Sequence, residues 1–153
     1  MDVDGTLTDG GIYMGEHGEI MKRFDIKDGY AIHNMMPEMN IIPIVITGRT
    51  SDIVANRCRE LGINYLIQGC RDKAAALKRL AAELGIELDE VAYIGDDIND
   101  LECMRIVGLT ACPNDAVKEI RNICNYVCKE IGGHGAVREF AEWIKNGRFS
   151  INR

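Results

Sequence analysis

The chain has 153 residues, 46% of them hydrophobic, and a formal net charge of -6. That length and apolar fraction suit one domain with its own core, and the acidic balance with scattered basic residues argues against a nucleic-acid partner. No apolar run reaches the roughly 18 residues of a membrane span, and the acidic start lacks a signal-peptide core, so a soluble cytoplasmic protein with no membrane contact is expected.

The chain opens MDVDGTLTDGG, placing Asp2, Asp4 and Asp9 close together. Residues 10–25 (GGIYMGEHGEIMKRFD) read as two short strands around Gly15-Glu16-His17-Gly18, a hairpin flap that carries Ile12, Tyr13, Met14, Ile20, Met21 and Phe24. A lone hairpin is marginal, so this one should pack on the domain or on another subunit. IIPIVIT (41–47) and VAYIGDD (91–97) are short apolar runs that end in glycine and polar residues. Runs of that kind read as buried parallel strands, and 63–67, 108–112 and 125–128 are weaker versions. Helical patterns alternate with them over 51–62, 72–85, 99–108, 114–123 and 135–147, with Ser51 and the Asn-Asp pairs at 99–100 and 114–115 as caps and Gly62 and Gly85 as stops. Alternation of this type predicts an α/β fold, a parallel sheet sandwiched by helices. The six cysteines are irregularly spaced without a CxxC pair and read as small buried thiols in a reducing compartment.

Ligands of open α/β sheets bind at the carboxyl ends of the strands. Asp2 and Asp4, Thr47-Gly48-Arg49, Lys73, and Gly95-Asp96-Asp97-Ile98-Asn99-Asp100 all fall at such ends. Adjacent carboxylates repel, and one is driven towards protonation unless a cation sits between them. Mg2+ fits, because it takes carboxylate oxygens together with substrate phosphate oxygens. Asp2 and Asp96 are the expected carboxylate ligands. Asp2 would then attack phosphorus, while Asp4, further from the metal, gives a proton to the leaving alkoxide and later activates water. Thr47 and Lys73 would hold the phosphoryl oxygens.

DVDGT, VITGR, Lys73 and GDDIND, in this order, resemble the motifs of the haloacid dehalogenase-like phosphatases. The similarity runs along nearly the whole chain. FDIKDGYAI (24–32), ITGRTS (46–51), RCRELGINYLIQG (57–69), VAYIGDDINDLECM (91–104), GGHGAVREF (132–140), the hairpin after the first motif and the lack of a large cap resemble the 3-deoxy-D-manno-octulosonate 8-phosphate phosphatases. The resemblance implies a Rossmann-like single hydrolase domain over residues 1–153 and a cytoplasmic Mg2+-dependent phosphatase of lipopolysaccharide biosynthesis acting on a small anionic sugar phosphate. It implies a homotetramer that meets through its hairpins, with the C-terminal tail of one subunit closing a neighbour's site. It makes Asp2 the nucleophile and Asp4 the general acid/base with its backbone carbonyl on Mg2+. Asp96 becomes the further metal ligand, and Thr47, Gly48 and Lys73 the phosphate-binding residues. Asp97, Asn99 and Asp100 support the site, Asp100 by positioning Lys73 or a metal-bound water. Related members act on nine-carbon sialic-acid-like 9-phosphates, and others are non-catalytic assembly domains of sugar-nucleotide-forming enzymes. Only Met1 precedes Asp2, where the family has a buried apolar strand, so further apolar residues are expected upstream.

Arg49, Arg57 and Arg138 are the candidates for a substrate carboxylate, which a planar guanidinium suits. Arg57 reads equally as a solvated helix face, and Arg138 as a surface partner of Glu142 one turn on. His17 reads as an exposed hairpin-tip residue and His33 as packing. His134, in Gly132-Gly133-His134-Gly135, lies in a segment that either folds over a ligand or turns into the last helix.

Overall fold

The computed structural model describes residues 1–147. The last six residues of the expected 1–153 span, and with them the tail to which the resemblance gives a closing role, lie outside the described residues.

The hairpin forms from β1 (Tyr13–Gly15) and β2 (Gly18–Met21), paired antiparallel with a register shift between Tyr13 and Met14. α1 (Ile26–Tyr30), capped by the Asp25 carboxylate on the Lys27 N–H, runs on through a π-helical turn (Ala31–Met35) into α2 (Met36–Glu38). Then follow β3 (Ile44–Ile46), α3 (Asp52–Glu60), β4 (Tyr65–Ile67), α4 (Lys73–Leu84), β5 (Ala92–Ile94), a 3-10 turn (Ile98–Asp100), α5 (Leu101–Met104), β6 (Leu109–Cys112), α6 (Lys118–Arg121), β7 (Tyr126–Val127) and α7 (Ala136–Lys145).

β3 pairs parallel with β4, and β6 lies parallel between β5 and β7. Met1 and Asp2 join the two groups. Met1 donates its amine to Ile44 O (2.9 Å) and accepts Ile46 N–H (3.1 Å), and Asp2 N–H bonds Ile94 O (3.1 Å). These residues therefore occupy the central strand position between β3 and β5, the position expected for the first strand. Beside them is an apolar groove of about 480 Å³, lined by Ile44, Ile46, Tyr93, Ile94, Leu109 and Ile144 among others.

The sheet is covered on both faces. Val45, Ile94 and Ala111 pack against Ile32, Val54, Val137 and Phe140, whereas Ile46, Tyr93 and Cys112 pack against Leu77, Met104 and Ile120. Alternate strand residues thus feed opposite layers, which explains why the strands read as continuous apolar runs. No large cap interrupts the described residues.

Two expected elements are shorter. The helix over 114–123 contracts to α6 because Asn114-Asp115 does not cap it. Asn114 N–H bonds Glu130 O, and the Asp115 carboxylate accepts Gly132 N–H instead. The pattern over 99–108 becomes the 3-10 turn and α5, since Asp100 is held by the site described below. Ser51 stands at the N-cap of α3 without capping it, and its hydroxyl bonds Glu19.

Asp28, 2% exposed, accepts N–H groups of Gly135 (3.2 Å) and Arg138 (2.9 Å) and ties α1 to the first turn of α7. Burial raises its pKa from 3.8 to about 6, against those two bonds. The folded state then holds the Asp28 proton between about pH 4 and 6 while the unfolded chain has lost it, so this carboxyl makes stability fall as pH rises through that window. The gap amounts to about 3 kcal/mol. In Asp28→Asn that share of the slope is absent, and urea unfolding at about pH 4 and 6.5 should show a smaller difference than in the parent.

Candidate active site

Asp2 sits at the carboxyl end of the central strand position, and the loop after it folds back on itself. Val3 O accepts N–H bonds from Thr6 (3.1 Å), Leu7 (2.9 Å) and Thr8 (3.0 Å). Gly5 adopts φ +91°, and a Cβ there would collide with the Asp96 carboxylate. Glycine is thus demanded twice, by the backbone angle and by the approach of Asp96. Thr6 donates its hydroxyl to Asp96 Oδ1 (3.0 Å), which locks the first motif to the turn after β5.

Asp100 is fully buried and fully engaged. Its Oδ1 accepts from Lys73 Nζ (2.8 Å) and Tyr93 OH (2.7 Å), and its Oδ2 from the N–H groups of Asp96 (3.1 Å) and Asp97 (3.4 Å). Lys73, at the first position of α4, is 3% exposed and lies 2.8 Å from both Asp2 Oδ1 and Asp100 Oδ1. The contact with Asp2 is an ion pair without hydrogen-bond alignment, so Asp2 Oδ1 is buried without an aligned donor.

One oxygen from each of Asp2, Asp96 and Asp100 lies within 4.8 Å of the others. The mutual charge shows in the acidity of Asp2 and Asp96. Burial, then the Asp2 charge, raises Asp96 to a pKa of about 7 against the Thr6 hydroxyl. Burial and the Asp100 charge raise Asp2, with Lys73 opposing. Burial by itself would lower Lys73, but the charges of Asp2 and Asp100 outweigh it and raise it. A divalent cation held by Asp2 and Asp96 would reverse this balance and keep both carboxylates ionised. The donor set fits a hard, oxygen-seeking ion. Asp2 Oδ1 lacks an aligned donor, whereas both Asp100 oxygens are taken, so Asp2 and Asp96 are the side chains suited to hold it.

Thr47 is buried at the end of β3, its N–H on Ile67 O (2.9 Å) and its C=O accepting from Cys70 (3.0 Å), while Gly48 beside it is exposed. Asp97 accepts Ile98 N–H (2.7 Å) and caps the 3-10 turn, and Asn99 is exposed on that turn. Asp4 is half-buried, ion-paired with Lys22 and 3.8 Å from Arg49 Nε. Arg57 and Arg138 have other partners. Arg57 pairs with Glu60 (2.9 Å) and lies over the Phe24 ring, while Arg138 pairs with Glu142 (2.6 Å) and lies over Tyr30. His33 Nδ1 lies 3.2 Å from Leu61 O, and His134 Nδ1 2.9 Å from Gly132 O.

Sequence reasoning missed Thr6, Tyr93, Lys22 and Glu19. Thr6 was legible as part of the first motif. Tyr93 read as an apolar strand residue, and Lys22 and Glu19 lie within the segment read as the hairpin.

Residues 62–140 match the model of the haloacid dehalogenase-like hydrolases. The 3-deoxy-D-manno-octulosonate 8-phosphate phosphatase KdsC of Escherichia coli K12 is 42% identical over 144 residues, covering 94% of this chain and 76% of that protein. The chain belongs to this family of phosphatases. It is a haloacid dehalogenase-like phosphoric monoester hydrolase with an α/β fold. Solved relatives agree. The Yersinia pestis phosphatase is 41% identical with a TM-score of 0.91, covering 96% of this chain and 79% of that one. The Moraxella catarrhalis phosphatase, solved with magnesium, phosphate and a KDO molecule, is 42% identical with a TM-score of 0.91, covering 95% and 83%.

Proposed function

We propose that this phosphatase hydrolyses 3-deoxy-D-manno-octulosonate 8-phosphate with Mg2+ through a phosphorylated Asp2. The observation that carries the reading is the Asp2–Lys73–Asp96–Asp100 cluster at the strand ends of a chain 42% identical to the Escherichia coli enzyme.

Asp2 attacks phosphorus in line, forming an acyl phosphate as the ester P–O bond breaks. Asp4 gives its proton to the leaving alkoxide. It then takes a proton from the water that attacks the phosphoryl group, which regenerates Asp2. Lys73, held by Asp100, whose carboxylate also accepts from Tyr93 OH, places its ammonium on the phosphoryl oxygens, with Thr47 and Gly48. The side chains of Asp2 and Asp96 and the backbone carbonyl of Asp4 hold Mg2+. The ion supplies charge neutralisation for the incoming phosphate. Asp97 and Asn99 shape the turn that presents Asp96. Arg49, the arginine near Asp4, binds the sugar-acid carboxylate, whereas Arg57 and Arg138 are engaged elsewhere in this protomer.

We infer also that residues 1–153 form one hydrolase domain, cytoplasmic, and that four copies meet through their hairpins. Ile12, Tyr13, Met14, Ile20 and Met21 are all exposed there, an apolar surface that supports the assembly.

Phosphate release with Mg2+ and with EDTA tests the reading across a panel. The panel holds the eight-carbon acid phosphate, the 9-phosphates of sialic acid and its deaminated analogue, and common hexose phosphates. Preference for the eight-carbon acid, lost with EDTA, is the expected result. Preference for a nine-carbon acid keeps the mechanism and changes the substrate. No turnover of any compound makes a non-catalytic assembly role the better reading.

A further inference from the structure

The hairpin sends two charged side chains into the site. Lys22 follows directly on β2, and its side chain is wholly buried. Its ammonium lies between Asp4 Oδ1 and Glu19 Oε1, the latter at 2.8 Å. Glu19 in turn accepts from Ser51 Oγ (2.7 Å) and Arg49 Nη2 (3.3 Å) on the segment between β3 and α3. In a regular strand, residues three apart face opposite sides. Here the register shifts within the hairpin and β2 ends at Met21, so Lys22 reaches both Asp4 and Glu19.

Burying an ammonium costs several kcal/mol unless carboxylates compensate it. We propose that Lys22, held in place by Glu19, is a positioning residue for Asp4, which makes the hairpin part of the catalytic apparatus as well as a cover. The inference rests on the role given to Asp4 above. Lys22 occupies Asp4 Oδ1 and fixes the carboxyl plane, which leaves Oδ2 for the leaving oxygen. Arg49 Nε stands 3.8 Å from Oδ2, beyond hydrogen-bond reach. Without Lys22 the carboxyl group is free to turn to Arg49, the remaining cation, and the proton it carries no longer points at the breaking bond.

A strap that merely pins the hairpin and a group that aims Asp4 differ in one observable. As the ester P–O bond breaks, a sugar alkoxide needs the Asp4 proton on its oxygen, whereas nitrophenolate leaves without one. The experiment is single-turnover release of the leaving group from 3-deoxy-D-manno-octulosonate 8-phosphate and from p-nitrophenyl phosphate with Mg2+. It compares the parent, Lys22→Met, Lys22→Arg, Glu19→Gln and Asp4→Asn, with melting curves of each.

The expected result is a fall of about 10²-fold for the sugar phosphate in Lys22→Met, with less than about a threefold change for p-nitrophenyl phosphate. Lys22→Arg should recover part of the loss, and Glu19→Gln should lie between it and Lys22→Met. Equal loss on both substrates, or no loss in either, overturns the proposal. Should Lys22→Met fail to fold, Lys22→Arg and Glu19→Gln carry the same comparison, and equal effects on both substrates there overturn it too. Asp4→Asn separates the two levels. If it slows both substrates alike, the role of Asp4 fails and this inference with it. If it slows only the sugar phosphate while Lys22 variants do not, the role of Asp4 stands and only this inference falls.

Discussion

Asp2→Asn is expected to abolish phosphate release while leaving the folded state as stable as the parent or more so. Turnover should fall by roughly 10⁴-fold or more, the scale on which removal of a nucleophile acts. The stability half follows from the charges around Asp2. The parent gathers Asp2, Asp96 and Asp100 within 4.8 Å, with Lys73 as the ammonium that contacts both Asp2 and Asp100. Burial and the charge of Asp100 already push Asp2 towards its neutral form. Asparagine keeps the shape and removes one negative charge from a buried excess, so thermal unfolding without added metal should not move down. Activity with a lowered melting temperature would mean that Asp2 serves the fold and not the chemistry. Near-parental activity would sink the covalent route.

Lys73→Met should damage both properties. Lys73 is 3% exposed and touches two carboxylates at 2.8 Å. Removing one partner from a buried ionic cluster costs about 3–5 kcal/mol, because the partners left behind stay desolvated. Asp100 then keeps Tyr93 and two backbone N–H donors, but Asp2 loses its counter-charge. The sign with pH is fixed. Uncompensated carboxylates have folded pKa values above their unfolded ones, so the variant's deficit is small in acid and grows as pH rises past about 4. Turnover should fall by about 10²–10³-fold, since an ammonium aimed at developing phosphoryl charge is lost. Denaturant melts at about pH 4 and 7.5 and phosphate-release rates check the two halves. A deficit that does not depend on pH would mean that Lys73 supports the fold by packing its methylenes rather than through its charge.

Much of the site was legible because its chemistry lies in residue type and chain order. Thr47 and Asp96 follow short apolar runs, Lys73 opens a helix, Asp2 and Asp4 form an acidic pair ahead of Gly5-Thr6, and an open parallel sheet brings such ends to one crevice. Asp100 was read as supporting Lys73, and it does contact the ammonium. The helix over 72–85 was nearly right, because Asp72 caps it on Ala75 and Gly85 ends it in a left-handed conformation. Where local signals failed, a distant partner had claimed the signalling residue. Asp115 looked like a cap and instead holds Gly132, and Ser51 stands at a cap position but bonds Glu19. Arg57, read either as a guanidinium for the substrate or as a solvated helix face, lies over Phe24 beside Glu60.

By itself the sequence determined that the chain is an α/β protein, that its strand ends carry carboxylates, a threonine and a lysine, and that this set suits a divalent cation and a phosphate. Those conclusions need only periodicity and the chemistry of side chains, which are local. Only the tertiary structure decided that Asp100 is saturated while Asp2 keeps an oxygen without an aligned donor. Only it showed that Gly5 is demanded by the approach of Asp96, and that a buried lysine of the hairpin grips Asp4. Each such contact, Lys73 on Asp100, Asp96 against Gly5 and Lys22 on Asp4, joins residues far apart in the chain. Its energy depends on burial and on which competing partner stands closer, and neither can be read from spacing along one strand.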